Sequence, residues 1–341
     1  MINILKNPLG PFPYQQQPIR VDLNAGVNIH SFIGRVSGLV TIAGGASSGT
    51  VNTESVMRLI RAIRIVHDGE ERVQRISGRD LWQMTGRNRL FVPAPQVLAN
   101  GDVQANTPIS FNFELAIAYP QLAQPALVFW PGYMPVRQEL AMYIEWETGI
   151  FGGAGSAPGS AALVSGTFDR VLTFSNLTLD LWQQYSTGLY RPDYLARISI
   201  RDSDQFSAAN PNLPLRLTGA RRFTGALFRS QEGPLQDSIT RINRLSFQAA
   251  GGSLNYWNLL PFAQLQAQDS GLFPASVDVG QNGTYFAHFV DNGLLGGAVD
   301  PRPLSDPRFV FDVAAPGTNP GFVHSVFLEL DTMPGVTNVQ N

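Results

Sequence analysis

Glu145 and Glu147, two residues apart in "IEWET", are the first side chains whose type and spacing could do chemistry. On an extended strand they project to the same side, as do the paired acids of β-sandwich glycosidases, which need two carboxyls flanking a sugar. The wet face of an ordinary strand gives the same spacing. Asp202 and Asp204 in "RDSDQ" alternate as loop ligands of Ca²⁺ do, yet no Gly and Glu follow to complete a recognised loop, and a solvated turn explains them equally well. The four histidines, His30, His67, His288 and His324, form neither His-Glu-x-x-His nor His-x-His followed by Glu. His67 precedes the Asp68-Gly69 turn and reads as solvated, while His288 and His324 fall in expected strands and read as satisfied within or beside a sheet. There is no cysteine, so disulfides, zinc-thiolate sites and Cys nucleophiles are excluded. "FGGAGSAPG" lacks the Lys-Ser/Thr of a phosphate cradle. Asn176-Leu177-Thr178 and Asn282-Gly283-Thr284 fit the glycosylation pattern, which matters only in a secretory setting. The residues imply no cofactor and no enzyme.

The chain has 341 residues, of which 15% are charged, with a formal charge of −2. That balance argues against a nucleic-acid binder, which needs excess cations to displace counterions. So weakly charged a surface suits a protein largely covered by its neighbours. Lys6 is the only lysine. Arginine makes forked hydrogen bonds and desolvates more readily, although a GC-rich genome would leave the same bias. Arg221-Arg222 and the alternating Arg58, Arg61 and Arg64 are the main basic features, either an ion-pair network between subunits or the wet face of a strand. The N-terminus lacks the basic end and apolar block of a signal peptide, and no apolar run reaches the roughly 20 residues of a membrane span.

The elements that must position these residues are strands. "PISFNFELAIAY" sets Phe111, Phe113, Leu115, Ile117 and Tyr119 on one face and Asn112 and Glu114 on the other. Similar alternation recurs from Ile19 to Thr332, punctuated by Gly and Pro, as in sandwiches and barrels. In "RAIRIVHDGEERVQRISGRDLWQMTG" the Asp68-Gly69 dipeptide predicts a tight hairpin. Val73 and Ile76 carry a return strand whose spacing of three implies a bulge. Ser77 and Asp80 form a capping pair for a turn or two of helix through Leu81, Trp82 and Met84, stopped by Gly86. A second helical stretch is expected near 258–268. Residues 149–166 read as a linker or a long surface loop. Residues 1–18, rich in proline, read as an extended arm anchored by Phe12 and Tyr14, with Gln15, Gln16 and Gln17 beside them; a frayed terminus is the alternative. "SVMRLIRAIRIVHDG" (55–69) aligns without gaps to "SITRINRLSFQAAGG" (238–252), and "MYIEWET" to "VFLELDT", so the chain holds two copies of one β-fold.

Two tandem sandwiches, each with a strand, a turn and a short Trp-containing helix, resemble the double jelly-roll major capsid proteins of tailless icosahedral viruses, the tectivirus-like, membrane-containing phages above all. "FIGRVSGLVTI" with the hairpin is similar to the opening of that family's first jelly roll, and "FNFELAIAYP" to its following aromatic strand. "FDRVLTFSNLTLDLWQQY" is similar to the strand that closes the first roll. "VGQNGTYFAHFVDN" and "FVHSVFLELDT" resemble late strands of the second. The family layout matches "VLTFSNLTLDL", not "MYIEWET", to the final strand, and it is preferred here because an eight-stranded sandwich needs the extra strand. The resemblance implies an all-β chain of two eight-stranded jelly rolls with short connecting helices: an arm over 1–18, rolls over 19–186 and 187–333, and a tail over 334–341. It implies a structural shell protein of the virion, made in the host cytoplasm, whose homotrimers form pseudo-hexagonal tiles. Its partners would be further copies, a penton and other virion proteins, with an internal membrane left open and no specific nucleic acid. Phe12, Tyr14, Gln15, Gln16, Gln17, Trp82, Arg221 and Arg222 are the expected assembly contacts, and Asp202 and Asp204 remain the candidate metal ligands. A two-sandwich carbohydrate-binding or glycan-hydrolysing protein is the alternative.

Overall fold

The computed structural model describes residues 5–43, 50–51, 57–88, 107–117, 130–132, 136–147, 164–165, 171–188, 192, 194–217, 219, 221–232, 241–252, 254–255, 260–261, 284–289, 298–317 and 319–332. Described residues through Gly188 form one compact unit, and those from Pro192 form a second.

The first unit contains β1 (Leu5–Pro8), β2 (Phe12–Pro13), β3 (Ile19–Asp22), β4 (Asn28–Ala43), β5 (Thr50–Val51), β6 (Ile60–His67), β7 (Glu70–Ile76), α1 (Gly78–Asn88), β8 (Thr107–Ala116), β9 (Leu140–Trp146), β10 (Val164–Ser165) and β11 (Val171–Ser186). One antiparallel sheet runs β1-β11-β4-β8. The other runs β7-β6-β9-β3. Period-two alternation sorts the faces. On β11, Leu177, Leu179 and Leu181 are buried, while Asp180 and Trp182 between and beyond them stay half-exposed. Gly34 of β4 leaves room for the Phe113 ring, which an added Cβ would meet at 2.1 Å. In the expected linker, Val164–Ser165 instead pairs with Thr50–Val51 inside this unit.

β1 falls within the expected arm and pairs as the eighth strand of the first sandwich. Leu5 to Pro8 pair with Tyr185 to Trp182. All four residues are exposed, so the strand is held by backbone hydrogen bonds rather than by burial.

The hairpin forms as its turn chemistry requires. Asp68 and Gly69 both have positive φ, 50° and 83°, as a two-residue type I′ turn demands. The pairs Ile63–Ile76 and Ile65–Val73 take up the expected bulge. Helix α1 follows, capped reciprocally: Ser77 N–H donates to Asp80 Oδ2 (3.3 Å), and Asp80 N–H donates to Ser77 Oγ (3.2 Å). The helix does not stop at Gly86 but runs to Asn88. A mid-helix glycine costs only about 1 kcal/mol, less than burying Leu81, Trp82 and Met84 returns.

The second unit contains β12 (Tyr194–Asp202), β13 (Asn210–Arg216), β14 (Arg222–Glu232), β15 (Ile242–Ala249), β16 (Leu254–Asn255), β17 (Leu260–Pro261), β18 (Thr284–His288), β19 (Arg308–Val313) and β20 (Gly321–Thr332). Its sheets run β18-β14-β20-β12 and β13-β19-β15-β16, with β17 also on β15. Matched in chain order, β1, β3, β4, β6, β7, β8, β9 and β11 take the same places as β12, β13, β14, β15, β16, β18, β19 and β20. The fold is two eight-stranded jelly rolls in tandem, as expected. β20 matches β11, as the family layout has it; the pairing of "MYIEWET" with the final strand does not hold, since β9 matches β19. The helix expected near 258–268 gives way at Leu260–Pro261 to strand; the rest of that stretch lies outside the described residues. Phe223, Phe228, Phe247, Phe309, Phe311 and Phe327 from both sheets fill the second core.

Candidate assembly surfaces

Of the two acids in "IEWET", Glu145 lies on β9 and Glu147 just beyond it. β9 ends at Trp146, and Glu147 follows it, its N–H donating to Leu59 O (3.0 Å). Glu145 is held by Arg75 in a close ion pair. Asp202 sits 2.7 Å from His324 Nδ1, and Asp204 is exposed. Among the described residues no three His, Cys, Asp or Glu gather around a point where a metal could sit. His67, expected in solvent, is 8% exposed, enclosed at the end of β6. Glu114, expected on a wet face, is 6% exposed. In both cases alternation predicts which face a residue takes but not what covers that face. Arg64 pairs with Glu71 (3.4 Å) and lies 4.5 Å over the Tyr143 ring. Tyr119 and the side chains of Arg58 and His288 lie outside the described residues.

The expected contact residues divide into three groups. The arm is stitched along β11: Leu9 N–H donates to Leu181 O (2.8 Å), Phe12 pairs with Leu179, and Tyr14 N–H donates to Leu177 O (2.9 Å). The Tyr14 ring lies 5.8 Å from that of Trp146, and burial, with Glu147 second, raises its phenol above the ordinary value. Gln15, Gln16 and Gln17 are exposed. Trp82 is 9% exposed and packs with the chain's own core. Arg221 is paired with Asp331, and Arg222 donates to Tyr194 Oη (3.2 Å). Of these eight, the glutamines alone are exposed, with Gln15 Nε2 donating to Gln17 O (3.2 Å).

Two surfaces went unread in the sequence. On the outer face of the β1-β11-β4-β8 sheet, Pro8, Trp182 and Ile33 stand in one row, and Asp180, Arg35 and Asn112 in the next. Pro8 and Arg35 are exposed and the others half-exposed. A large aromatic beside an Arg is the composition of an interface anchor. The signal was there: in "LTLDLW", Trp182 falls in phase with Asp180, not with the leucines. On the outer face of the second unit's β13-β19-β15 sheet, Arg216 stands opposite Arg308. Like charges in that position repel; Arg308 is offset by Asp306 at 3.4 Å.

A different cluster closes the end of the first sandwich. His30 Nε2 is 2.8 Å from Ser186 Oγ, Asn28 Nδ2 donates to Gly188 O (3.1 Å), and Gly132 N–H donates to Asn28 Oδ1 (2.8 Å). Burial pushes the His30 imidazole below its ordinary pKa. At the hairpin turn, Asp68 accepts N–H groups from Arg137, Gln138 and Glu139 at 2.8–3.1 Å. Those bonds hold its carboxyl down at about 2.

No protein-family model and no curated protein matches the sequence. Among solved structures, the chain is similar to the major capsid protein of Sulfolobus turreted icosahedral virus, with a TM-score of 0.70, 12% identity and 97% of each chain covered. It is similar to major capsid protein P2 of bacteriophage PM2 (TM-score 0.58, 12% identity, 98% of this chain and 100% of that). It is also similar to VP54 of PBCV-1 (TM-score 0.60, 8% identity, 100% and 98%). The chain has the double jelly-roll fold of these capsid proteins.

Proposed function

We propose that this protein is a structural major capsid protein, a shell subunit of a virion rather than an enzyme. The observation that carries the reading is that likeness to viral coat proteins spans nearly the whole of both chains, both jelly rolls included. The low charge, the pairing of Glu145 with Arg75 and the Trp182 row support it. In this reading three copies form a pseudo-hexagonal tile, six like sandwiches around one axis, and tiles pave an icosahedral shell. The neighbours come from archaeal, algal and bacterial viruses, so a phage host is one of several that fit. A penton at the vertices, a membrane beneath the shell and synthesis in the host cytoplasm belong to the same proposal.

Negative-stain microscopy of the purified chain tests it. Trimeric particles of hexagonal outline are expected, and Trp182→Ala should lower their yield while leaving the monomer's circular dichroism unchanged. A protein that sediments as a clean monomer at micromolar concentration overturns the reading.

A further inference from the structure

Arg35 of β4 and Asp180 of β11 stand directly opposite each other on the outer face of the first sandwich, and Asn112 of β8 completes the row. Arg35 is exposed and Asp180 half-exposed. Opposite charges so placed ordinarily pair, and Arg75 and Arg302, which are also exposed, are tied to Glu145 and Asp300. Arg35 and Asp180 are not: among the described residues neither makes a hydrogen bond or an ion pair through its side chain. The adjacent row sets Trp182 opposite Ile33, both half-exposed, with exposed Pro8 beyond the ring. An apolar row beside an ionic one is the composition of an interface, a core that sheds water and a rim of polar groups.

The signs of the ionic row select what covers it. Read from β11 to β8, the row runs acid, base, amide. A wholly acidic partner would meet Asp180 and a wholly basic one Arg35, and like charges brought together at an interface are costly. A second copy of the same face meets neither obstacle. Its Asp180 faces the Arg35 of its neighbour, its own Arg35 is left for the copy after it, and a closed ring of copies leaves no charge over. A guanidinium and a carboxylate also form a forked pair that fixes orientation as well as distance. We propose that Arg35 of each copy pairs with Asp180 of the next around the trimer, with the Trp182–Ile33 rows packed beside the pairs. This pairing rests on the reading of the chain as a shell subunit and supplies the face through which its copies meet.

Sedimentation velocity of the full chain tests it. Asp180→Arg sets two cations together at each junction, and Arg35→Asp sets two carboxylates there. Each alone should raise the concentration of half-assembly by about tenfold or more, and the double reversal should return it to within about threefold of the unaltered value. The chain has no cysteine, so a mixture of Arg35→Cys and Asp180→Cys copies can form disulfides only between chains. Oxidation should link one copy of each, in greater yield than either variant gives alone. Should a reversal fail to fold, the cysteine mixture decides. Hexagonal trimers that persist in both single reversals, or a mixture that stays unlinked, overturn the pairing and leave the shell reading standing. A lower thermal midpoint in the single reversals with assembly unchanged also overturns it, since the two charges then serve their own chain. An unaltered chain that stays monomeric takes both readings down.

Discussion

Phe309 of β19 lies 4.8 Å from the ring of Phe228, 5.0 Å from Phe247 and 6.0 Å from Phe327. The matching strand of the first sandwich, β9, buries Met142, Ile144 and Trp146 against β6 with its Ile60, Ile63 and Ile65. One wiring is thus filled by interlocking rings in one half and mainly by branched aliphatics across these two strands in the other. The contrast shows that strand alternation and turn chemistry specify the jelly-roll path, while the identity of the core residues is free to drift within a fixed volume. It also says where each half is brittle. A ring packed against several others, as Phe309 is, has few rotamers to retreat into, whereas an aliphatic layer can partly collapse around a loss.

The largest effect expected is therefore at Phe309. Phe309→Ala should destabilise the second half by about 3–5 kcal/mol, against about 2–5 kcal/mol for Met142→Ala in the first. Hydrogen exchange read separately on β14 and β4 distinguishes them. Loss of protection in both halves from either variant would mean that the two cores unfold as one unit, and the comparison would break. Next comes removal of residues 1–8. Four strand residues at about 0.5–1 kcal/mol per hydrogen bond, the low side of the usual range because this edge is exposed, give about 2–4 kcal/mol. The fall in protection should stay on β11, with self-association growing as that edge is bared. The second half holds its equivalent strand, β12, by burial as well, through Leu195, Ala196 and Ile198.

That difference in the first strands explains what the sequence discloses and what it withholds. β12, "YLARISIRD", alternates and is rich in branched residues, so it is legible. β1, "LKNP", has neither property, and its partner is β11, at the far end of the same sandwich. No local pattern encodes a strand held by backbone hydrogen bonds alone. The hairpin at 60–76 is legible because Asp68-Gly69 can satisfy a geometry few other dipeptides can. "MYIEWET" misleads for the opposite reason, since alternation looks alike on every strand and carries no address. Assembly residues are the least legible. Trp82, Arg221 and Arg222 attract attention by type, yet all three find partners within their own chain. Trp182 is distinguished only by its phase.

Acid should separate the halves further. His30 titrates below its ordinary 6.5 because it is buried. The unfolded chain then takes up that proton first, so the stability is present above pH 6.5 and declines as pH falls below it. Asp68, held at about 2, contributes stability present above its ordinary 3.8 and lost as pH falls toward 2. The first sandwich thus weakens in two steps. In the second, Asp300 is lowered by its hydrogen bond from Arg302, and it adds a step only in the carboxylate range. Thermal midpoints followed from pH 7.5 downward should show an early decline that His30→Gln removes and a late one that Asp68→Asn reduces. A decline near neutral pH that persists in His30→Gln would assign the early step elsewhere.

The smallest effect tests the corner that ends the first hairpin against the turn inside the second. After β6 and β7, the first half turns into α1 through a reciprocal Ser77–Asp80 cap, with Oγ and Oδ2 2.6 Å apart. Aspartate takes the place of the usual glutamate because the serine hydroxyl itself meets the carboxylate, which shortens the reach required. In the second half the described counterpart is the hairpin turn between β15 and β16, equivalent to Asp68-Gly69, where Ala250, Gly251 and Gly252 all take positive φ, at 50°, 65° and 96°. The first corner is held by side-chain hydrogen bonds and the second turn by backbone freedom, so opposite substitutions should damage them. Ser77→Ala should cost about 1 kcal/mol. Gly252→Ala should cost about 1–2 kcal/mol through the left-handed backbone alone, since an added Cβ there meets nothing closer than 3.8 Å. Urea midpoints of the two variants check both values. If Gly252→Ala proved neutral while Gly69→Ala did not, the second hairpin would be tolerating a relaxed turn, and the likeness between the two hairpins would end at their strands.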